Sequence, residues 1–388
     1  MIKIDFTNKF LEDMKEKKKV NIVHADYYFH MHKKFDTQKD GRFFKKSNRL
    51  RDCLSVWNWD KYQKNKLLDL VSVIRCDDKK FCPNCRTMGI ATALHNFQPA
   101  FIEMLSKGYT PYLMTLTVPN CLGENLIETL QHYNKAYSRF WEWLYKPIGK
   151  DANGKNQKGY KNRLVNLRAD IEMQEINIQE NNHDMYHPHT HSMVFCEEID
   201  YLTLDKHICG GYQRNSKKNI YYSAMDLHIM ILWKMAWDNV YLTYKNYVKY
   251  ENEFESNYLE MENNRDYKHP PHTWCSLYLC DLRPVTMPDG LYEIFKYPFK
   301  DKNIYNYNNF ETLFLALDGK KMRKCHGELY NLDLEKDCGE KLELEDFLTE
   351  KESPETLVIK EIHTLTTLYA DFKKISRFKA HTDIDKIK

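Results

Sequence analysis

Strand-like patterns of apolar and polar residues occur in three segments of this chain. The first runs from Pro111 to Pro119, is rich in apolar and β-branched residues, and is closed by a proline and an asparagine. Residues 169–179 alternate between apolar and polar, which is typical of a half-buried strand. A polar turn at residues 181–184 separates them from a third strand-like run, so the two segments predict an antiparallel hairpin.

Apolar residues at helical spacing predict helices around these strands. They cover residues 90–106, 124–145 and 223–250. Residues 273–285 predict a further strand, a helix is predicted from Pro288 to Tyr297, and the polar residues 252–272 indicate a loop. This order of elements predicts an α+β fold in which helices flank a central antiparallel sheet.

The distribution of residue types divides the 388-residue chain into four parts, where its length alone suggests two or three domains. The predicted parts are a basic N-terminal arm at 1–50, a cysteine-rich segment at 51–90, a large α+β domain at 91–335, and an acidic, partly helical tail at 336–388. No apolar run reaches the roughly 20 residues of a membrane span, and the N-terminus lacks the apolar core of a signal peptide. We therefore expect a cytoplasmic protein with no membrane partner.

The net charge of +3 is close to balance and does not by itself indicate nucleic-acid binding. Lysine and arginine are concentrated in residues 33–51, however, whereas acidic residues follow Leu334. This asymmetry suggests contact with a polyanion through one part of the chain, although solvated charged faces would give the same pattern. The candidate contacts to DNA are Lys45, Lys46, Arg49, Arg51 and Arg86.

Four of the eleven cysteines form a group with ligand-like spacing: Cys53, Cys76, Cys82 and Cys85. Four thiolates close a tetrahedral site, so the predicted cofactor here is a structural zinc ion. Cys82 and Cys85 alone could instead be a redox pair, which would need neither Cys53 nor Cys76. Such pairs usually occur in a thioredoxin-like unit, which the sequence pattern does not predict. Substitute ligands in this part of the chain are His24, His30 and His32.

Three histidines alternate in the run Tyr-His-Pro-His-Thr-His at residues 186–191. On a strand, alternate residues share a face, so the three imidazoles would lie side by side. Paired imidazoles make a divalent metal site with open positions, whereas a lone histidine would simply be hydrogen-bonded on the sheet surface. Glu175, on the neighbouring strand of the hairpin, would complete the ligand set, and Glu172 is an alternative with the opposite strand parity. The candidate ligands are His187, His189, His191 and Glu175.

A second group of reactive side chains follows about a hundred residues later. Glu293, Tyr297 and Lys300 are separated by four and three residues, a spacing that places them on one helix face. Tyrosine becomes a nucleophile when a nearby ammonium or metal ion favours its phenolate. Glu293 would then activate water as a general base. Pro298 disfavours helical geometry at Tyr297, so the helix is expected to kink or end there.

Five motifs in this order resemble those of the rolling-circle replication initiators of plasmids and phages, in the large family 1 of Rep proteins within the HUH endonucleases. The resemblance covers roughly residues 50–332. The motifs are the cysteine segment ending at Arg86, Leu113–Asn120, Glu175 with residues 186–191, Glu293–Lys300, and Gly319–Glu328. Thr190 and Ser192 stand where the family pattern has apolar residues.

The resemblance implies an HUH nicking-joining domain at 91–335 with an RRM-like palm. It implies that Tyr297 attacks single-stranded or cruciform origin DNA at a nick site, giving a 5′-phosphotyrosine link and a free 3′-hydroxyl primer. Mn²⁺ or Mg²⁺ on His189, His191 and Glu175 would polarise the phosphate. Lys300 would stabilise developing charge, Glu293 would support water attack at termination, and His187 would be a ligand or an orienting group. The implied partners are origin DNA, a host helicase and a host polymerase.

Two other classes of protein fit part of the pattern. A non-catalytic, zinc-dependent nucleic-acid-binding protein would keep the cysteines and the basic residues and make Tyr297 dispensable. A histidine-triad nucleotide hydrolase also has alternate histidines, but it uses a histidine nucleophile and has apolar residues where this chain has Pro188 and Thr190.

Overall fold

The structure is a computed structural model, and two compact units make up the chain. The first unit contains Met1–Ala100, Phe295–Phe314 and Asp333–Lys388, and the second contains Phe101–Ile294 and Leu315–Leu332. The structure describes residues 8–53, 56–62, 67–73, 75–145, 167–197, 209–211, 220–222, 224–263, 280–285, 294–295, 304, 306–335 and 380–383.

Helices and one small sheet build the first unit. The helices are α1 (Asn8–Phe35), α2 (Arg42–Asp52), α3 (Pro83–Ser106), whose last six residues fall in the second unit, and the first part of α7 (Tyr307–Leu317). The strands are β1 (Val56–Tyr62), β2 (Leu67–Val73) and β11 (Ala380–Asp383), which pair antiparallel in the order β11-β1-β2.

Helix α2 packs on α1 through side chains that recur every three or four residues. Phe43, Ser47 and Leu50 are buried, and the Ser47 hydroxyl donates a 2.7 Å hydrogen bond to the Ala25 carbonyl. In the first turn of α2, the backbone N–H groups of Phe43 and Phe44 donate hydrogen bonds to the carboxylate of Asp36, at 2.9 and 3.2 Å. Because backbone N–H groups at a helix start lack partners within the helix, this contact fixes where α2 begins.

The second unit is built on an antiparallel sheet. Its strands are β3 (Thr110–Thr117), β4 (Cys121–Leu122), β5 (Ala169–Gln179), β6 (Asn182–Cys196), β9 (Cys280–Pro284) and β10 (Arg323–Gly327). The order is β10-β5-β6-β3-β9, and β4 pairs with the start of β6. A separate two-stranded ribbon is formed by β7 (Cys209–Gly211) and β8 (Ile220–Tyr222).

One face of this sheet carries the hydrophobic core of the second unit. The helices of the core are α4 (Leu126–Tyr145), α5 (Ala224–Trp237) and α6 (Tyr244–Asn263). Trp233 of α5 is fully buried and donates its indole N–H to the Thr117 carbonyl at 2.8 Å. Core residues from the strands occupy alternate positions, such as Met114 and Leu116, which leaves the residues between them for the other face.

The structure confirms the mixed helical and antiparallel class, and it places the predicted hairpin in β5 and β6. The predicted helix at 223–250 is instead two helices. Asn239 adopts a left-handed conformation (φ 58°), and the N–H groups of Asn239 and Val240 bond to the carbonyls of Ala236 and Met235, at 3.3 and 3.0 Å. This is a Schellman ending, which terminates α5, and α6 then extends through much of the predicted loop at 252–272.

The predicted boundaries at residues 50, 90 and 335 remain predictions. In the structure, residues 8–35 and 42–52 are helices, and they belong to the same unit as the cysteine segment. Phe310 explains part of this, because its ring lies 4.9 Å from that of Tyr28 and 4.8 Å from that of Phe81. No helix in the described part of the chain is long and apolar enough to span a bilayer.

Candidate metal centres

The four predicted cysteine ligands come together in the first unit. Their sulfur atoms lie within 4.8 Å of one another, and the individual separations include 3.6 Å for Cys53–Cys82, 3.7 Å for Cys53–Cys85 and 3.5 Å for Cys76–Cys85. A tetrahedral zinc ion with 2.3 Å bonds would hold its sulfurs about 3.8 Å apart. The cluster therefore fits a metal such as zinc, and all four side chains are buried.

Hydrogen bonds between the sulfurs alter their acidity. The hydrogen bond with Cys53 is the largest cause of the pKa shift in two of the other cysteines. It raises the pKa of Cys76 and lowers the pKa of Cys85. Deprotonated sulfur is the form that ligates a cation, so metal binding at this cluster would release protons.

Helix α1 holds the first cysteine ligand in place. The buried ammonium of Lys18 donates to the backbone carbonyl of Cys53 at 3.0 Å and also to the carbonyl of Arg51. Both carbonyls lie at the end of α2, where backbone acceptors lack partners within the helix. Lys18 therefore fixes the direction in which the chain leaves α2 and presents the Cys53 sulfur.

Asp78 shapes the loop between the other cysteines. Its carboxylate accepts hydrogen bonds from the Phe81 N–H at 3.0 Å and from the Tyr28 hydroxyl at 2.6 Å, and it pairs with Lys46 at 3.1 Å. Burial alone would raise the pKa of Asp78, but Lys46 and these hydrogen bonds hold it below its usual range. Helices α1 and α2 are thus tied to the metal-binding loop through one charged carboxylate.

The substitute histidine ligands have other partners, so the structure favours the four-cysteine set. His24 donates its Nδ1–H to the Phe81 carbonyl at 2.7 Å, and His32 lies 2.9 Å from the Asp36 carboxylate. The ring of His30 lies 5.5 Å from that of Tyr307. Among the described residues, only cysteines belong to this group.

A second group forms in the middle of the sheet of the other unit, from Glu175, His189 and His191. Glu175 on β5 lies directly opposite His189 on β6, and His191 follows two residues later on the same face. Oε2 of Glu175 is 3.4 Å from Nε2 of His189 and 3.6 Å from Nε2 of His191. All three side chains are buried, and apolar strand residues such as Met173 and Met193 lie on the same face.

The other nitrogen of each ring makes a hydrogen bond that orients it. Nδ1 of His189 is 3.2 Å from the His187 carbonyl, and since a carbonyl only accepts, this nitrogen carries the proton. Nδ1 of His191 is 3.1 Å from the Thr115 hydroxyl on β3. In His189 the lone pair of Nε2 therefore faces Glu175, which is the arrangement a metal-binding imidazole needs.

The donor set of this group fits a divalent cation. A cation about 2.1 Å from each donor holds neighbouring donors roughly 3.0–3.4 Å apart, close to the separations between Glu175 and the two rings. Two imidazoles and one carboxylate, all supplied from one face, leave positions for a substrate oxygen and water. Buried together with no ion, the carboxylate and the imidazoles would carry a large desolvation cost, which a bound cation offsets.

The structure separates the remaining candidate ligands from this group. His187 lies at the edge, stacked on His189 with 5.2 Å between ring centroids, and its Nδ1 contacts the Asn120 amide oxygen at 2.7 Å. It is outside the group of three, which suits an orienting role. Glu172 pairs with Ser192 in the strand register and therefore projects from the opposite face of the sheet, so it is not a ligand here.

That opposite face holds a buried polar network which no sequence motif indicates. Asp170 accepts hydrogen bonds from the Tyr137 hydroxyl and the Trp141 indole N–H, both at 2.5 Å. The Tyr137 hydroxyl also lies 2.7 Å from the Ser192 hydroxyl, and Glu172 accepts a 2.7 Å hydrogen bond from Lys324. The network joins helix α4 to three adjacent strands.

Charge within the network is unevenly distributed. Burial raises the pKa of Asp170 to about 7. Burial would also raise the pKa of Glu172, but the imidazole of His326, 3.9 Å away, and the charge of Lys324 lower it overall. Against the effect of burial, the contact with Glu172 raises the pKa of His326. Glu172 is thus the permanent anion of the network, and Asp170 changes charge near neutral pH.

The candidate DNA contacts fall into two groups. Lys45, Arg49 and Arg51 are exposed on α2, where each pairs with an aspartate, and Lys46 is partly buried against Asp78. Arg86 is only 3% exposed, because it lies in the first turn of α3 beside the cysteine ligands. The structure therefore leaves Lys45, Arg49 and Arg51 as surface candidates and removes Arg86 from them.

The predicted nucleophile group lies outside the described residues. This holds for Glu293, Tyr297 and Lys300 alike. By contrast, Thr115 is a polar contact of the metal group that the sequence did not single out. Its signal was the alternation of Met114, Thr115, Leu116 and Thr117, in which polar residues share the face opposite the core.

Comparison with known proteins gives no match to a family model, a curated protein or a solved structure. What the chain can bind therefore follows from its own residues. Its described part contains two candidate metal centres, one made of four cysteines and the other of two histidines and a glutamate.

Proposed function

We propose that this chain is a rolling-circle replication initiator, an HUH-type endonuclease that nicks single-stranded origin DNA through a tyrosine and rejoins it at termination. The observation that carries the proposal is the meeting of Glu175, His189 and His191 on one sheet face, within 4.8 Å of one another. The ordered motifs of the sequence supply the remainder, because an HUH enzyme needs a cation site on a sheet and a tyrosine downstream of the histidines.

The three ligands have separable roles in this proposal. When bound, a Mn²⁺ or Mg²⁺ ion supplies Lewis-acid and template chemistry to a phosphate oxygen. Glu175 provides the negative charge of the site, and the two imidazoles provide neutral nitrogen donors held by their Nδ1 hydrogen bonds. His187, at the edge of the group, supports the ring of His189 by stacking.

Tyr297 is the proposed nucleophile. Its phenolate oxygen forms a bond to phosphorus while the bond from phosphorus to the 3′ oxygen breaks, and the departing 3′ oxygen takes up a proton. The products are a 5′-phosphotyrosine link and a free 3′-hydroxyl that primes a polymerase. Rejoining is the reverse, with a 3′-hydroxyl attacking the phosphotyrosine. Lys300 stabilises charge on the phosphate, and Glu293 acts as general base for water at termination.

The first unit would provide origin binding in this proposal. The four cysteines would hold a zinc ion, which would order the loop that Asp78 ties to α1 and α2, and α2 presents Lys45, Arg49 and Arg51 to solvent. Phosphate contacts from such side chains position a protein on DNA without reading its sequence. A host helicase and polymerase would then extend the 3′ end.

A covalent-adduct assay tests the proposal. The purified protein is mixed with a labelled single-stranded oligonucleotide from its own replicon and Mn²⁺, and the products are run on a denaturing gel. We expect a protein-linked DNA band that is lost in Tyr297→Phe and retained in the matched control Tyr292→Phe, five residues away in the same segment. Mass spectrometry of the band identifies the modified residue.

Other outcomes point to the competing classes. Zinc-dependent binding of DNA without any adduct in Mn²⁺ would favour a non-catalytic nucleic-acid-binding protein. A phosphohistidine at residue 187, 189 or 191 would favour a histidine-triad hydrolase. An adduct that persists in Tyr297→Phe would contradict the assignment of the nucleophile.

A further inference from the structure

We propose that Thr115 is a positioning residue of the metal site, and that its hydroxyl sets the orientation and the protonation pattern of the His191 ring. This inference rests on the metal site of the proposed function, and it concerns a residue of β3 rather than a ligand. Thr115 lies directly opposite His191 in the β3–β6 pairing, and Oγ1 of Thr115 is 3.1 Å from Nδ1 of His191.

The chemistry of imidazole makes this contact decisive. A neutral histidine carries one proton, and a ring that ligates a cation through Nε2 must hold its proton on Nδ1. Nδ1–H of His191 then needs an acceptor, and the Thr115 hydroxyl oxygen occupies that position. Nε2 of the same ring lies 3.6 Å from Oε2 of Glu175. The two ring nitrogens therefore have different neighbours, Thr115 at Nδ1 and Glu175 at Nε2.

The neighbouring ligand shows why a side chain is needed at this position. His189 obtains the same orientation from its own strand, since its Nδ1–H donates to the His187 carbonyl at 3.2 Å. That contact is a backbone contact and survives any side-chain change. For His191 the described acceptor is a side-chain hydroxyl from the adjacent strand, so this contact can be removed by a substitution.

Threonine suits this position for two reasons. It is β-branched, so it fits the pleated strand and has few χ1 rotamers, which keeps the hydroxyl in place. Its hydroxyl is neutral and accepts a hydrogen bond without adding charge beside the site. Thr115 is half-buried, between the buried Met114 and Leu116 that project toward the core face. It is therefore held by strand packing on both sides.

The test measures metal binding without DNA. Protein with its cysteine site filled by zinc is titrated with Mn²⁺, a hard ion that does not compete for thiolates, and free Mn²⁺ is followed by electron paramagnetic resonance. We expect Thr115→Val, which keeps the shape and removes the hydroxyl, to weaken Mn²⁺ binding by about 10–100-fold. Thr115→Ser restores the hydroxyl and is expected to bind within about threefold of the wild type.

Thr190→Val is the matched control. Thr190 is buried in the same sheet and lies between the two histidine ligands in sequence, but it projects from the opposite face, opposite Gln174. It is expected to bind Mn²⁺ as the wild type does. Weak binding by Thr115→Ser, or equal weakening by Thr190→Val, would overturn the proposal, because the effect would then belong to packing rather than to the hydroxyl.

A direct measurement covers the case in which Thr115→Val does not fold. Long-range ¹H–¹⁵N correlation spectra of the wild type, recorded before Mn²⁺ is added, distinguish the two neutral forms of each histidine. The proposal expects the His191 proton on Nδ1, and a proton on Nε2 would overturn it. The proposed function has a separate readout: Glu175→Gln binding Mn²⁺ as tightly as the wild type would remove the site itself, whereas normal binding by Thr115→Val would remove only the role of Thr115.

Discussion

Glu175 and His189 lie directly opposite each other across the β5–β6 pair, with Oε2 of the glutamate 3.4 Å from Nε2 of the histidine. Their proximity is a consequence of strand register, because directly opposed side chains on antiparallel strands lie about 4.5–5.5 Å apart at Cβ. A slip of one residue would move Glu175 to the core face and bring Gln174 or Ile176 beside the histidines. The hydrophobic core on the other face opposes that slip and so maintains the geometry of the candidate metal site.

Replacing Glu175 by glutamine is expected to abolish tight metal binding at this site while leaving the fold intact. Glutamine keeps the size of the side chain and removes the charged oxygen shared by His189 and His191. We expect Mn²⁺ affinity to fall by about 100-fold or more, since loss of a ligand exceeds the effect of outer partners. Glu172→Gln, the same change three residues earlier on the opposite face, is expected to leave affinity unchanged. Titration of zinc-loaded protein measures both, and equal affinities in the two variants would contradict the ligand assignment.

In unfolding experiments the order of the two variants is expected to be reversed: Glu172→Gln should lower the free energy of unfolding more than Glu175→Gln does. Glu172 is buried and accepts a hydrogen bond from Lys324, whose side chain is 35% exposed. Removing the carboxylate leaves the lysine without its anion, which we expect to lower the free energy of unfolding by about 1–3 kcal/mol, less than for a fully buried pair because water screens the lysine. Urea unfolding at pH 7 without added Mn²⁺ measures this. A larger loss in Glu175→Gln than in Glu172→Gln would be inconsistent with the network described here.

The hairpin that carries the metal site is predicted well from the sequence because its information is local. Alternation over residues 169–179, a polar turn and alternate histidines define two strands, and strand parity places Glu175 on the histidine face and Glu172 on the other. The four-cysteine cluster is predicted for a similar reason, since ligand chemistry restricts which cysteines can act together. The positions of Tyr297 and its neighbours remain predictions.

Features that depend on distant packing are not predicted. The N-terminal helices carry weak periodicity, and their burial depends on rings such as Phe310 and Phe314, more than 250 residues away in sequence. The contact of Tyr137 with Asp170 joins a helix to a strand, and neither residue belongs to a recognisable motif. Thr115 is likewise an ordinary strand residue until the register places it opposite His191.

Asp170 is expected to make stability depend on pH between about 4 and 7. Burial raises its pKa to about 7, so the folded protein keeps this carboxyl protonated at pH values where the unfolded chain ionises. The stabilisation it contributes is complete below about pH 4 and is lost as the pH rises through 7. The corresponding free energy is about 2–4 kcal/mol, and Asp170→Asn is expected to flatten the pH profile by this amount.

Thermal or urea unfolding at half-unit pH steps measures this effect. The neighbouring groups Glu172, His326, Lys324 and Tyr137 remain in both proteins, so the difference between the two profiles isolates Asp170. The control is Asp184→Asn, an exposed aspartate near the start of β6, which is expected to leave the profile unchanged. A wild-type profile parallel to that of Asp170→Asn across this range would show that the carboxyl does not titrate as described.

Loss of a cysteine ligand is expected to remove one metal ion and destabilise the first unit. Cys82→Ser breaks the four-sulfur set, so the cluster would no longer hold an ion that could order the Asp78 loop. We expect the melting temperature of this unit to fall by about 10 °C or more, because a structural zinc contributes directly to folding. Elemental analysis and calorimetry measure the two effects. Cys121→Ser, outside the cluster, is expected to change neither, and a Cys82→Ser protein with full metal content would contradict the assignment.

Two exposed cations of α2 are expected to contribute phosphate contacts. The side chains of Lys45 and Arg49 are 66% and 60% exposed, and each pairs at 3.3 Å with an exposed aspartate. Such surface pairs are worth about 0–1 kcal/mol, so phosphates can replace the aspartates at little cost. We therefore expect the double variant Lys45→Ala/Arg49→Ala to bind duplex origin DNA more weakly, and to reduce the slope of log affinity against log salt by about 1.8.

The matched control for this pair removes the same charge elsewhere. Lys19 on α1 and Lys249 on α6 are 70% and 68% exposed and also pair with acidic residues. Lys19→Ala/Lys249→Ala is expected to leave the salt slope unchanged, because neither residue is a candidate phosphate contact and the slope counts only the phosphates that are neutralised. Binding is followed by fluorescence anisotropy from 50 to 300 mM salt. Equal slopes in the two double variants would mean that α2 does not contact the phosphates, and that the loss of affinity reflects net charge alone.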